Sequence, residues 1–164
     1  MNIRLSGIVN DSIVDGKGIR FTVFTQGCSH HCPNCHNPQT HDPNGGYDEN
    51  TENILAMIAE NPLLDGITLS GGEPFEQPVP CAVIAQGAKN MGLNVWVYTG
   101  YTWEELLAKN DSNIQKLLDY TDVLVDGHFV YELRSLELHF KGSSNQRIID
   151  VQKSIIENKI VLFE

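Results

Sequence analysis

Apolar residues change their spacing several times along the chain, and each change marks an element. Residues 19–25 are β-branched and aromatic and predict a strand. Residues 48–60 place Ile54, Leu55 and Ile58 on one face, which predicts a helix ending before Pro62. Residues 66–70 predict a short apolar strand running into Gly71-Gly72-Glu73-Pro74. A second helix is predicted over 78–91, with Val83, Ile84, Ala88 and Met91 on one side. A strand over 93–98 ends at Thr99-Gly100. Thr102 and Glu105 have the spacing of a capping box, and Asp111 can cap a further helix carrying Ile114, Leu117 and Leu118. Residues 122–126 read as a buried strand ending at Gly127, and 147–151 and 159–163 as two short strands.

Strands separated by helices predict an α/β fold with mostly parallel strands. Ligands in such folds sit beyond the carboxyl ends of the strands. Three strands end in polar or glycine-containing turns, at 70–73, 99–100 and 126–128, and a Cys- and Pro-rich loop over about 26–46 follows a fourth. Four loops are therefore expected to converge on one rim. A closed eight-stranded barrel takes about 250 residues. The 164 residues here allow one domain holding a partial, open barrel or a short sheet.

Composition narrows the partners. Eleven basic against 21 acidic residues give a formal net charge of -10, which argues against nucleic acid and anionic membranes as ligands. No run approaches the roughly 18 apolar residues of a membrane span. Residues 1–10 lack the basic start and apolar run of a secretory signal, so a reducing, cytoplasmic setting is expected.

Three of the four cysteines fall within eight residues, as Cys28-x-x-x-Cys32-x-x-Cys35. In a reducing compartment, clustered thiols bind metal or do redox chemistry. Three thiolates on one loop can hold three corners of a cubane cluster and leave one iron open, whereas an electron carrier normally uses four cysteines. A Cys3His zinc site with one of His30, His31, His36 or His41 is a second reading, and a thioredoxin-like pair at Cys32 and Cys35 a third. Cys81 stands alone and reads as a small buried hydrophobe.

The cysteine spacing after one strand, with Gly71-Gly72-Glu73-Pro74 after the next, resembles the radical S-adenosylmethionine superfamily. Asp15-Gly16-Lys17-Gly18-Ile19-Arg20 resembles the lead-in of its glycyl-radical-enzyme activases. Segments 96–101, 123–127 and 142–147 resemble the branch acting on anaerobic ribonucleoside-triphosphate reductase. The resemblance spans nearly the whole chain and implies one radical S-adenosylmethionine domain over 1–164, built as a partial barrel. It implies one 4Fe-4S cluster on Cys28, Cys32 and Cys35. S-adenosylmethionine would meet Asn34, Cys35, His36, Gly71, Gly72, Glu73 and Asp126. The family's aromatic residue after the third cysteine, often Tyr, is His36 here. The implied reaction is reductive cleavage of S-adenosylmethionine to a 5′-deoxyadenosyl radical, which takes hydrogen from a glycine of the partner reductase. A flavodoxin- or ferredoxin-type donor would supply the electron, and a homodimer is one assembly the family uses. Activation of another glycyl radical enzyme, or a zinc-stabilised binding module, is the alternative. Other residues carry plainer readings: Asp126 as a cap, Arg20 as a solvated strand residue, His128 and His139 as surface polar residues, and Trp96 and Trp103 as packing residues.

Overall fold

The computed structural model describes residues 1–35 and 37–164. Its strands are β1 (Asn2–Ser12), β2 (Arg20–Thr25), β3 (Tyr47–Asn50), β4 (Gly66–Gly71), β5 (Asn94–Tyr98), β6 (Val123–Asp126) and β7 (Arg147–Asp150). Its α-helices are α1 (Thr51–Ala59), α2 (Pro78–Asn90), α3 (Trp103–Ala108), α4 (Ser112–Asp119) and α5 (Val151–Glu157). One sheet runs in the order β3-β1-β2-β4-β5-β6-β7. The central β2, β4, β5 and β6 are mutually parallel. β1 runs antiparallel to β2 and β3, and β7 antiparallel to β6.

The alternation of side chains along a strand separates two faces. Phe21, Val23, Ile67, Leu69, Val95, Val97 and Leu124 point to one face and join a single core with residues of all five helices. Ile54, Ile84 and Leu117 bring α1, α2 and α4 into it. Cys81, fully buried in α2, fits its expected role as a small hydrophobe. The opposite face carries Arg20, Thr68, Trp96 and Tyr98, and no helix covers it among the described residues. Trp96, Val123 and Val125 form a second, smaller cluster there with Phe140 and Phe163. Trp96 and Trp103 are both buried, as packing residues should be.

Several boundaries differ from the expected ones. The helix expected over 48–60 begins at Thr51, because Tyr47–Asn50 pairs with β1 and Asn50 caps the helix by accepting from the Glu52 amide. The strand expected over 147–151 stops at Asp150, whose carboxylate caps α5 by accepting from the Lys153 amide. Residues 159–163 contribute only a bridge between Leu162 and Ile149. The capping box is present: Thr102 accepts from the Glu105 amide at 3.1 Å and Glu105 from the Thr102 amide at 3.0 Å. Thr102→Ala is expected to cost about 1 kcal/mol, a fall in Tm of about 2–4 °C in a calorimetric scan. An unchanged Tm would show that α3 is held by its buried Trp103 and Leu106 and by the Asp126 cap without the Thr102 hydroxyl.

Candidate functional site

The cysteine loop is closed at its base before it reaches the thiols. The Gln26 side-chain amide donates to the carbonyls of Gln39 and Asp42, the Gly27 amide to Thr40, and the Cys28 amide to His41. Beyond this base the chain doubles back sharply. His31 and Asn34 both adopt left-handed backbone conformations, and the Cys35 amide donates to the Cys32 carbonyl. Cys28, Cys32 and Cys35 are all half-buried and line one cavity of about 370 Å³.

The cavity lies on the helix-free face, at the carboxyl ends of the parallel strands. Phe24 of β2, Ser70 of β4, Tyr98 of β5 and Val125 of β6 form its floor. Gly71 and Gly72 form the adjoining wall. Gly71 has φ +95, and a Cβ there would lie 2.4 Å from the Thr25 amide nitrogen. A Cβ on Gly72 would lie 2.4 Å from the Gly27 carbonyl oxygen. Only glycine lets this turn press so closely on the base of the cysteine loop. The Gly72 amide donates to Thr25 and the Glu73 amide to Gly27, stitching the two together.

The remaining expected contacts sit elsewhere. The Glu73 carboxylate is fully buried behind the wall. It accepts from His30 Nε2 at 2.6 Å, Thr99 Oγ1 at 2.9 Å, and the amides of Gly100 and Phe75. Asp126 is equally buried; it accepts from the Trp103 amide at 2.8 Å, so it caps α3, and from Arg147. Arg147 also forks onto Glu104. Neither carboxylate lines the cavity. Asn34 is exposed on the loop. His36 lies outside the described residues. Phe129, Lys141 and Gln146, which the sequence reading did not place at the site, are on the cavity lining, as is His30, which it offered only as a possible zinc ligand. The signal for Gln146 was the 142–147 segment. Its side chain gathers that segment by accepting from the Gly142 and Ser143 amides while donating to the Gly127 carbonyl.

Burial pushes the Cys28 thiol up to about 11, with the Glu73 and Glu76 carboxylates adding to the shift, and raises Cys32 in the same direction. The bare thiol at Cys28 is therefore neutral at pH 7, and binding a metal there displaces its proton. Burial opposes charge on His30, but the hydrogen bond and charge of Glu73 outweigh it, and the imidazole is held above its usual value. The donor set fits an iron–sulfur cluster: three soft thiols face one cavity, and each can take its own iron. Among the described residues, which leave out His36, no group of three or more His, Cys, Asp or Glu side chains is placed to hold a single metal ion.

A family model described as a 4Fe-4S single cluster domain matches residues 14–149. The anaerobic ribonucleoside-triphosphate reductase-activating protein of Salmonella typhimurium is 39% identical over 142 residues, covering 82% of this chain and 90% of that protein. The protein of the same description from Escherichia coli K12 is 38% identical with the same coverage. That from enterobacteria phage T4 is 30% identical over 141 residues, covering 82% of this chain and 86% of that one. Among solved structures, QueE from Escherichia coli is similar with a TM-score of 0.49 and 16% identity, over 62% of this chain and 54% of that one. The chain carries a 4Fe-4S single cluster domain and belongs to the family of anaerobic ribonucleoside-triphosphate reductase-activating proteins.

Proposed function

We propose that Cys28, Cys32 and Cys35 hold a 4Fe-4S cluster, that the cavity beside them takes S-adenosylmethionine, and that the protein activates anaerobic ribonucleoside-triphosphate reductase. When bound there, the cluster and cofactor would supply reductive one-electron cleavage of a carbon–sulfur bond, the radical chemistry needed to take hydrogen from a glycine of the reductase. The observation that carries this reading is the meeting of three thiols and the Gly71–Gly72 backbone on one cavity.

The chain's own part is to bind, orient and shield. Three cysteines leave one corner of a cubane without a protein thiol, since Cys81 is enclosed in α2. The bare backbone of Gly71 and Gly72 suits the methionine amino group, which no Cβ obstructs. Asn34 and Cys35 lie on the loop that would wrap S-adenosylmethionine. Glu73 and Asp126 serve from behind the wall, Glu73 by fixing Thr99 and Gly100, and Asp126 by fixing α3 and Arg147. Phe24, Tyr98, Val125, Phe129 and Phe140 give the cavity an apolar lining that limits water near reactive species.

Helices on one face and a ligand cavity on the other support reading the sheet as a partial barrel of the radical S-adenosylmethionine type, forming one domain over 1–164. An external donor of flavodoxin or ferredoxin type supplies the electron. Free clustered thiols support a reducing, cytoplasmic location, and no helix among the described residues is long and apolar enough to cross a membrane.

Electron paramagnetic resonance of the anaerobically reconstituted, reduced protein tests the reading. A 4Fe-4S signal that changes when S-adenosylmethionine is added is the expected result. A zinc-bearing protein with no cluster signal after reconstitution would end it.

A further inference from the structure

The cysteine loop touches the cofactor wall through side chains at only a few described points, and these differ in burial. Ser29 bonds to Glu76 through both its amide and its hydroxyl, but that contact is exposed. Cys32 meets the exposed His128 at 3.7 Å. His30 is different. Its side chain is 7% exposed and its partner Glu73 is fully enclosed. The ring packs edge-on against Tyr101 at 4.4 Å and His128 at 4.8 Å. It lies so close to the chain at Gly100 that a Cβ there would be 2.6 Å from His30 Cδ2. Glu73 belongs to the turn after β4, and it also accepts from Thr99 and Gly100 in the turn after β5. One carboxylate therefore joins three pieces: the segment between the first two cysteines, the Gly71–Gly72 turn and the Thr99–Gly100 turn.

We infer that the His30–Glu73 pair is a latch that fixes the distance between the thiol loop and the cofactor-binding wall, so that His30 is a positioning residue for S-adenosylmethionine and not a metal ligand. This rests on the function proposed above. The bonds at the loop base hold Gly27 and Cys28, so any pivot of the segment from Ser29 to Asn34 is resisted by the exposed Ser29–Glu76 and Cys32–His128 contacts and by the enclosed His30–Glu73 bond. A buried, charge-assisted hydrogen bond is the strongest kind of contact available to stop that pivot, while an exposed one contributes little. The thiols can take up iron without the latch, because all three lie on one loop and the cluster itself ties them together. A ligand that must touch both the open iron and the Gly71–Gly72 backbone needs the two at a set separation, and there the latch acts.

The test compares the cluster-loaded wild type with His30→Gln and His30→Phe. Phenylalanine keeps the ring packing against Tyr101 but donates nothing to Glu73; glutamine keeps a donor. Iron per chain is measured, and the dissociation constant of S-adenosylmethionine is read from its effect on the reduced-cluster resonance signal. The expected result is wild-type iron in both variants, a rise in dissociation constant of about tenfold or more for His30→Phe, and less than about threefold for His30→Gln. Where His30→Phe holds too little iron to titrate, Glu73→Gln carries the test and is expected to weaken binding by a similar factor. Wild-type affinity in His30→Phe or in that substitute overturns the latch. So does equal weakening in His30→Gln and His30→Phe, which would assign the effect to packing. Loss of iron from His30→Gln also overturns it, since His30 would then be a ligand. A wild-type signal that ignores S-adenosylmethionine would bring down the proposed function itself; a responsive wild type with indifferent variants brings down the latch alone.

Discussion

Alanine in place of any one of Cys28, Cys32 or Cys35 is expected to take the reconstituted protein from about four iron atoms per chain to near none. Formation of 5′-deoxyadenosine should fall to background with it. The reason is that the loop carries three thiols for three corners of a cubane and no fourth cysteine to replace a lost one. His30 is committed to Glu73, and Cys81 is fully buried among the apolar residues of α2. Cys28 is also poorly placed to keep charge on its own: burial holds its thiol neutral at pH 7, so a thiolate forms there as metal binds. Two remaining thiolates would have to pin a cubane from adjacent positions on a loop with two left-handed residues. Cys81→Ala is the contrast. It removes one sulfur from a packed core and should cost about 1 kcal/mol while keeping full iron and activity. Iron and sulfide analysis with a product assay checks both arms. Full iron and cleavage in any of the three loop variants would remove that cysteine from the ligand set.

What was legible in the chain was what short stretches decide by themselves. β4, β5 and β6 are runs of Ile, Leu, Val and Trp, and the Thr102–Glu105 capping box is settled within four residues. The thiol loop and the Gly71–Gly72 turn were readable because their chemistry lies in local spacing. The outer elements were not. Tyr47–Asn50 has no strand pattern and is extended only because β1 offers it an edge, and β1 itself mixes Asn, Arg, Ser and Asp with its apolar residues. Charged side chains were the hardest to place. Glu73 and Asp126 were expected at the cofactor, yet both turn inward onto donors from distant segments. Arg20 was expected in solvent and is fully buried. No local pattern shows that a carbonyl 47 residues away will claim a guanidinium.

Arg20 gives the largest expected loss of stability. It stands at the start of β2 on the helix-free face, with no exposed surface. Nε donates to Thr68 Oγ1 at 2.7 Å, Nη1 to the Lys17 carbonyl at 2.8 Å, and Nη2 to the Ile67 carbonyl at 2.6 Å. The guanidinium also lies over the Trp96 ring, 5.3 Å from its centre. Burial lowers its pKa to about 10, partly offset by surrounding acidic groups, so it stays charged at pH 7. Thr68 passes the bond on, donating to the Asp15 carbonyl at 2.6 Å. Arg20 thus ties residues 15–17, at the cavity edge, to β4. This gives a physical reason for the glycine at 16 in the lead-in motif: a Cβ there would lie 2.8 Å from Arg20 Cδ and 3.0 Å from Trp96, in a backbone with φ +130. Two effects compete in Arg20→Met. Removing a buried charge relieves its desolvation, which favours the variant. Stranding the buried Ile67 carbonyl and the part-buried Lys17 carbonyl opposes it, and several charge-assisted bonds are lost together. The second effect wins because the fork serves three acceptors at once, and the net cost is about 3 kcal/mol, or a fall in Tm of about 6–12 °C. Arg20→Lys should recover less than half of that, since an ammonium cannot reach all three acceptors in one plane. Thermal unfolding of the metal-free protein measures it directly. A Tm within about 2 °C of wild type for Arg20→Met would mean that desolvation cancels the bonds, and the lead-in segment would then be held by the Thr68 hydroxyl with the Ser12 and Asp65 contacts.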